Sequence, residues 1–356
     1  MLSLFVKQAF FVVSVTYINI VMLKIEGVFM NEYNLNLHHQ SLVVDGHCDS
    51  ILECYKEKRD FIKSGLKGHL DLSRLKQGGV NLQFLALFIE AKYKPYGALC
   101  RVLELLDFFY SLKNERGESL QIIKEQKDLL SLNAETVKFL LTVEGGEALE
   151  GQLSTLRILF RLGIRSVTLT WNQRNQLGDG VWERESGGGL TTFGKAVIKE
   201  MNDLGMLVDV SHLSEGGFWD VISYTTKPIA ATHSCCRALH DHPRNLRNEQ
   251  LEALQKNQGI IGINFYPEFL GREMVTAETV IEHIEYAAGV AGVDHVGLGS
   301  DFDGIETTPA GLEDVSKMPL LTELLLQRGW KEEEVRKVLG GNYIRVLQQV
   351  LPPAQS

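Results

Sequence analysis

The amino-acid sequence predicts an α/β fold, a (β/α)8 barrel of the TIM type, and three observations carry that reading. Eight short apolar runs rich in β-branched residues recur along the chain. They are near-continuously apolar, as expected of parallel strands covered on both faces. Helical patterns separate several of them, and His, Asp or Glu closes five of the eight. A parallel barrel would gather all those strand ends at one mouth.

Taken in order, the first strand candidate is SLVVDGH (41–47), followed by VNLQFLALFI (80–89). ALCRVLELLDFFYSLKNE (98–115) has apolar residues at helical spacing and leads to the third strand, VKFLLTVEG (137–145). LSTLRILFRLG (153–163) reads as a helix stopped by glycine and precedes the fourth strand, RSVTLTW (165–171). NQRNQLGDGVWERESGGGL (172–190) is a long Gly-rich loop, read as a lid or substrate loop over the strand ends. TFGKAVIKEMNDLG (192–205) is a helix with Thr192 as its N-cap. GMLVDVSH (205–212), PIAATHS (228–234) and GIIGINFY (259–266) are strands five to seven. AETVIEHIEYAAGVAG (277–292) is helical, HVGLGSD (295–301) is the eighth strand, and two helical stretches, 318–330 and 332–350, finish the chain. A doubly wound sheet would also alternate strand and helix. It places its ligand at one switch point, using two strand ends, and leaves polar residues after strands 1, 3, 5, 6 and 8 unexplained.

Of the 356 residues, 44% are hydrophobic and 23% charged, with a formal net charge of −9. This composition fits a single large globular domain, placed at residues 30–356. No basic stripe is present, which argues against a nucleic-acid partner. The five cysteines are scattered and form no CxxC pair, so a reducing, cytoplasmic setting is expected. Residues 1–29 form an apolar leader. Three readings stand for it: a start at Met30, a weak membrane anchor, or an atypical signal. No A-x-A cleavage pattern follows it, and Gln8, Ser14, Thr16 and Asn19 interrupt its apolar run, so no stable membrane association is expected unless residues 1–23 are an anchor.

His47 and Asp49 lie two apart at the end of a strand, so both face the same way. An imidazole nitrogen and a carboxylate oxygen suit zinc or a similar divalent ion. Glu144 closes the third strand before two glycines and has two oxygens, enough to bridge cations about 3.5–4 Å apart. His212 and His233 close strands five and six and complete a second metal position. Asp301 closes strand eight and is placed to move a proton, with Asp303 as the neighbour not separable from it on sequence. Arg244 offers a fork for a substrate carboxylate. His295, at the opposite end of strand eight, reads as structural.

These residues sit in VVDGHCD, VEGGEAL, LVDVSH, ATHSCCRAL, HPRNL and GVDHVGLGSDFDG, and with them the chain resembles the membrane dipeptidase (renal dipeptidase) family from about residue 40 to 350. The resemblance implies two zinc ions, one on His47, Asp49 and Glu144 and the other on Glu144, His212 and His233. It implies dipeptide hydrolysis by a metal-bridging hydroxide, Asp301 as acid–base residue, Arg244 on the substrate carboxylate, and a homodimer. One position departs. The family's best-known members carry a histidine after strand four in a TLTHN-like segment; here TLTWN places Trp171 there, beside Asn172. Tryptophan donates one hydrogen bond and cannot take a charge. Both residues are therefore candidates for substrate binding, and Trp171 keeps open an alternative substrate: another amide, a lactone or a β-lactam.

Overall fold

A computed structural model describes residues 22–25 and 28–353, apart from 64, 66, 115, 134 and 135. Most of the apolar leader lies outside the described residues. Its described end is an antiparallel hairpin of β1 (Met22–Ile25) and β2 (Val28–Asn31) that runs into the helix Glu32–Gln40. Asn31 caps that helix by accepting from the Tyr33 N–H at 2.9 Å.

Eight parallel strands then close a barrel: β3 (Val43–Asp45), β4 (Val80–Phe88), β5 (Lys138–Glu144), β6 (Ile164–Thr168), β7 (Leu207–Asp209), β8 (Ala230–Ser234), β9 (Ile260–Ile263) and β10 (Val296–Leu298). β10 pairs with β9 on one side and with β3 on the other, through Leu298 and Asp45. The expected (β/α)8 architecture is thus observed. Most strands are shorter than the apolar runs suggested. In β3 the ladder ends at Asp45, and His47 already belongs to the irregular segment at the mouth.

The helix after the long loop spans Thr192–Leu204, and its N-cap is Thr191 rather than Thr192: the Thr191 hydroxyl accepts from the Gly194 N–H at 3.0 Å. Thr191 has the extended backbone a cap requires, whereas Thr192 is already helical. Helices Ser50–Glu57, Glu215–Tyr224 and Asn248–Lys256 were not legible as periodic patterns. Two glycines near its start masked the second, and the third is rich in polar residues on its outer face.

Two apolar cores result. One lies between the strands and the outer helices. The other fills the barrel from below, where Val44, Leu82, Phe84, Leu140, Leu207 and Ile260 meet Tyr343, Val346, Leu347 and Val350 of the helix Asn342–Val350. Tyr343 is fully buried and donates its hydroxyl hydrogen to the Thr232 carbonyl at 3.2 Å. A Cβ on Gly46 would lie 2.0 Å from that hydroxyl, so glycine is required where the plug meets the first barrel strand. Among the described residues, no helix is long and apolar enough to cross a membrane.

Candidate active site

His47, Asp49, Glu144, His212, His233 and Asp301 converge at the C-terminal mouth of the barrel. His47 Nε2 lies 3.2 Å from Glu144 Oε2, 3.6 Å from Asp49 Oδ2 and 3.8 Å from Asp301 Oδ1. Glu144 turns its other oxygen to the remaining histidines, with Oε1 3.1 Å from His212 Nε2 and 3.8 Å from His233 Nε2. Asp49 occupies the N-cap position of the helix Ser50–Glu57 but makes no capping hydrogen bond. Its carboxylate faces the site instead. His212 and Asp301 both have left-handed backbones, φ 65° and 64°, a region that His and Asp enter more readily than most residues.

The charges here are poorly balanced by protein alone. Burial, then the Glu144 carboxylate, pushes the Asp49 carboxyl up to about 7. Burial also raises Asp301, with Glu144 adding to it. For Glu144 burial acts upward, but the His47 and His212 imidazoles prevail and hold it well below the usual carboxylate range. Burial acts to lower His47, yet Glu144 and Asp49 together keep it well above the usual value. Burial, then the Arg244 guanidinium, lowers His212 to about 3.

These groups fit divalent cations. His47 Nδ1, His47 Nε2 and Asp49 Oδ1 are buried without a hydrogen-bond partner, a costly state that coordination would relieve. His212 Nδ1 faces Asn172 Oδ1 at 2.7 Å and His233 Nδ1 faces the Thr232 hydroxyl at 2.9 Å. With both Nδ1 hydrogens so engaged, the two Nε2 atoms meet bare at 2.8 Å beside Glu144. Ligand atoms of His47, Glu144 and His233 lie within 4.8 Å of one another, as do those of His47, Asp49 and Asp301.

The structure separates Asp301 from Asp303. Both residues border the cavity over the site, but the Asp301 carboxylate lies 3.8 Å from His47 Nε2 and accepts from Asn264 Nδ2 at 2.8 Å. Asp303 turns away to Arg59, to the Ser50 hydroxyl and to the His69 N–H, which donates at 2.7 Å. Asn264 was missed from sequence. It immediately follows β9, a strand for whose end the sequence offered no candidate, and that gap was the available signal. His295 lies at the other end of the barrel, with Nδ1 2.8 Å from the Gly259 carbonyl oxygen.

The cavity has a volume of about 320 Å³, and its apolar wall includes Phe88, Trp171, Tyr266 and Phe269. Trp171 packs against Phe88 and Trp182 at centroid distances of 5.5 and 5.2 Å. Asn172 also lines it, although its side-chain oxygen is engaged by His212. Arg244 is buried and does not line this cavity; with His212 it lines a small neighbouring pocket, donating from Nη2 to the His233 carbonyl at 3.1 Å while its Nε has no partner. The 172–190 loop is fastened rather than free. Val181 N–H donates to the His212 carbonyl at 2.8 Å, and Ser214 N–H donates to the Asp179 carbonyl at 2.9 Å. These bonds hold it against the segment after β7, and of its residues Asn172 lines the cavity.

The family model for membrane dipeptidase (Peptidase family M19) matches residues 32–355. The chain belongs to the membrane dipeptidase family. It is 35% identical over 302 residues to a protein of Schizosaccharomyces pombe described as an uncharacterized dipeptidase, covering 80% of this chain and 73% of the other. The crystal structure of a metallopeptidase named dipeptidase AC is similar with a TM-score of 0.81 at 29% identity, covering 87% of this chain and 99% of that one. A Rhodobacter sphaeroides metallopeptidase, solved with a phosphinate mimic of the dipeptide L-Ala-D-Ala, gives a TM-score of 0.77 at 29% identity over the same shares. The protein is therefore a metallopeptidase-family hydrolase of the dipeptidase class, and its barrel is that of its relatives.

Proposed function

We propose that this dipeptidase works with two zinc ions, one held by His47, Asp49 and Glu144 and the other by Glu144, His212 and His233. The observation that carries the reading is the pair of bare Nε2 atoms of His212 and His233, 2.8 Å apart beside a carboxylate that also reaches His47. When bound, such ions would supply Lewis acidity to the peptide carbonyl and lower the pKa of a bound water. The protein's own groups do the rest. Asp301, oriented by Asn264, takes the proton of the attacking water and delivers it to the leaving nitrogen. Arg244 holds the substrate's terminal carboxylate with the N–H groups left over from His233, which favours dipeptides over longer chains. Trp171 and Asn172 form one wall of the substrate cavity, and the wall's aromatic surface excludes water from the bond being cleaved.

Cleavage of another amide, a lactone or a β-lactam is the second reading. It is favoured by Trp171 at a position where the resemblance led us to expect histidine. The catalytic domain is residues 30–356, acting as a homodimer in keeping with the family resemblance. A cytoplasmic location accords with five cysteines that are all free.

The test is metal content together with hydrolysis of L-L, L-D and amidated dipeptides, with and without chelator. The L-D arm is motivated by the ligand of the Rhodobacter relative. Two zinc per chain and chelator-sensitive cleavage of free dipeptides are expected. Folded protein that takes up no divalent ion would overturn the catalytic assignment, and two ions without dipeptide cleavage would move the substrate to the second reading.

A further inference from the structure

One layer beneath the site lie two buried carboxylates with matching surroundings. Asp45 ends β3 and accepts from the Ser300 N–H at 2.7 Å and the Ser300 hydroxyl at 2.6 Å. Asp209 ends β7 and accepts from the Thr232 N–H at 3.0 Å and the Thr232 hydroxyl at 2.6 Å. Ser300 immediately precedes Asp301, and Thr232 immediately precedes His233. Each carboxylate thus clamps the backbone and the side chain of the residue before a site residue on another strand. Asp45 and Asp209 are about 1% exposed or less, and among the described residues no cationic side chain is hydrogen-bonded to either.

The Asp209 clamp has a chemical consequence that the Asp45 clamp lacks. Asp209 Oδ1 faces two N–H donors, from Ser211 and Thr232, and Oδ2 faces the hydroxyls of Thr168 and Thr232. It is arranged as an acceptor. A threonine hydroxyl has one hydrogen, and the short contact to Asp209 uses it. The oxygen then meets His233 Nδ1 at 2.9 Å with only lone pairs to offer. His233 must place its hydrogen on Nδ1, and Nε2 is left bare toward Glu144 and His212.

We propose that Asp209 and Thr232 are positioning residues that set which nitrogen of His233 is free to bind a cation. This rests on the two-metal reading above and deepens it. The chain Asp209–Thr232–His233 has a hydroxyl interposed where a carboxylate or carbonyl more often meets a ligating imidazole directly.

The test uses full-length protein carrying Thr232→Val, Thr232→Ser and Ser300→Ala. In metal-free, ¹⁵N-histidine-labelled protein, long-range ¹⁵N–¹H spectra report the His233 tautomer. The wild type, Thr232→Ser and Ser300→Ala should show hydrogen on Nδ1, and Thr232→Val should lose that pattern. In chelator competition, Thr232→Val should weaken binding of the more labile zinc by about 10–100-fold, with affinity restored by Thr232→Ser. An unchanged tautomer and affinity in Thr232→Val overturns the proposal. So does an equal loss in Thr232→Ser, which would mean that methyl packing matters rather than the hydroxyl. Should Thr232→Val not fold, Asp209→Asn replaces it: an amide donor at that position reverses the Thr232 hydroxyl and should move the His233 hydrogen to Nε2. If wild-type protein binds no zinc, the two-metal reading fails, while the tautomer still decides the role of Thr232.

Discussion

Asp301 and Asp303 are two residues apart and share a left-handed backbone, φ 64° and 65°, yet their carboxylates have different partners. Both border the cavity, but the Asp301 carboxylate faces His47 at 3.8 Å with Asn264 as its hydrogen-bond donor. Asp303 is locked to Arg59, and its side chain is 2% exposed. Asp301→Asn should therefore lower kcat by about 10²–10⁴-fold while zinc content stays at the wild-type level. Asp303→Asn should instead destabilise the fold, because it leaves the Arg59 guanidinium buried without its partner, a loss of about 3–5 kcal/mol. Steady-state kinetics and urea unfolding on the two variants separate these outcomes, and a reversed pattern would exchange the roles. Arg244→Ala should chiefly raise KM for free dipeptides, by roughly 10–100-fold, the worth of one or two charge-assisted hydrogen bonds. Amidated dipeptides serve as the comparison, and an unchanged preference for the free carboxylate would remove Arg244 from the clamp.

At the scale of elements, the helix Glu32–Gln40 is tied to the barrel through His38. Its ring lies between the Thr322 hydroxyl at 2.7 Å and the Gly78 carbonyl at 2.8 Å. Burial lowers its pKa from 6.5 to about 4. Between those values the unfolded chain carries a proton that the folded chain rejects, so unfolding takes up protons. The stability His38 contributes is present above pH 6.5 and is lost as pH falls toward 4. Each unit of separation is worth about 1.4 kcal/mol. Urea midpoints at pH 7 and pH 5 should fall further in the wild type than in His38→Gln, and equal falls would count against the assignment. The C-terminal helix matters for a different reason. Tyr343 fills the barrel from below, and Tyr343→Ala should cost about 3–5 kcal/mol through the cavity it leaves, measurable in the same unfolding experiment.

Across the whole molecule, the site is assembled from segments as far apart in sequence as His47 and Asp301, so it exists only when the barrel is closed. A ligand that binds only the folded state stabilises it by mass action, by about 4 kcal/mol at a thousand times its Kd. Zinc should accordingly raise Tm and a chelator should lower it, with the shift reduced in His212→Ala and His233→Ala, which should also abolish activity. A melting curve indifferent to zinc and chelator would contradict a site built by the closed barrel.

The sequence by itself determined the strand–helix alternation and the positions of the six polar residues at its strand ends, because continuous apolar runs and residue chemistry are local properties. It also marked Trp171 as the departure, and the aromatic wall the structure shows around that residue could not have been read from TLTWN alone. Tertiary structure decided what depends on distance. It separated Asp301 from Asp303, which share a local pattern but face different neighbours. It brought Asn264 to Asp301 and Asn172 to His212, contacts between the ends of neighbouring strands with no local signature. It placed Thr232 between Asp209 and His233. Asp209 comes from β7 and Thr232 from β8, and only the register of a closed barrel sets which hydroxyl meets which carboxylate.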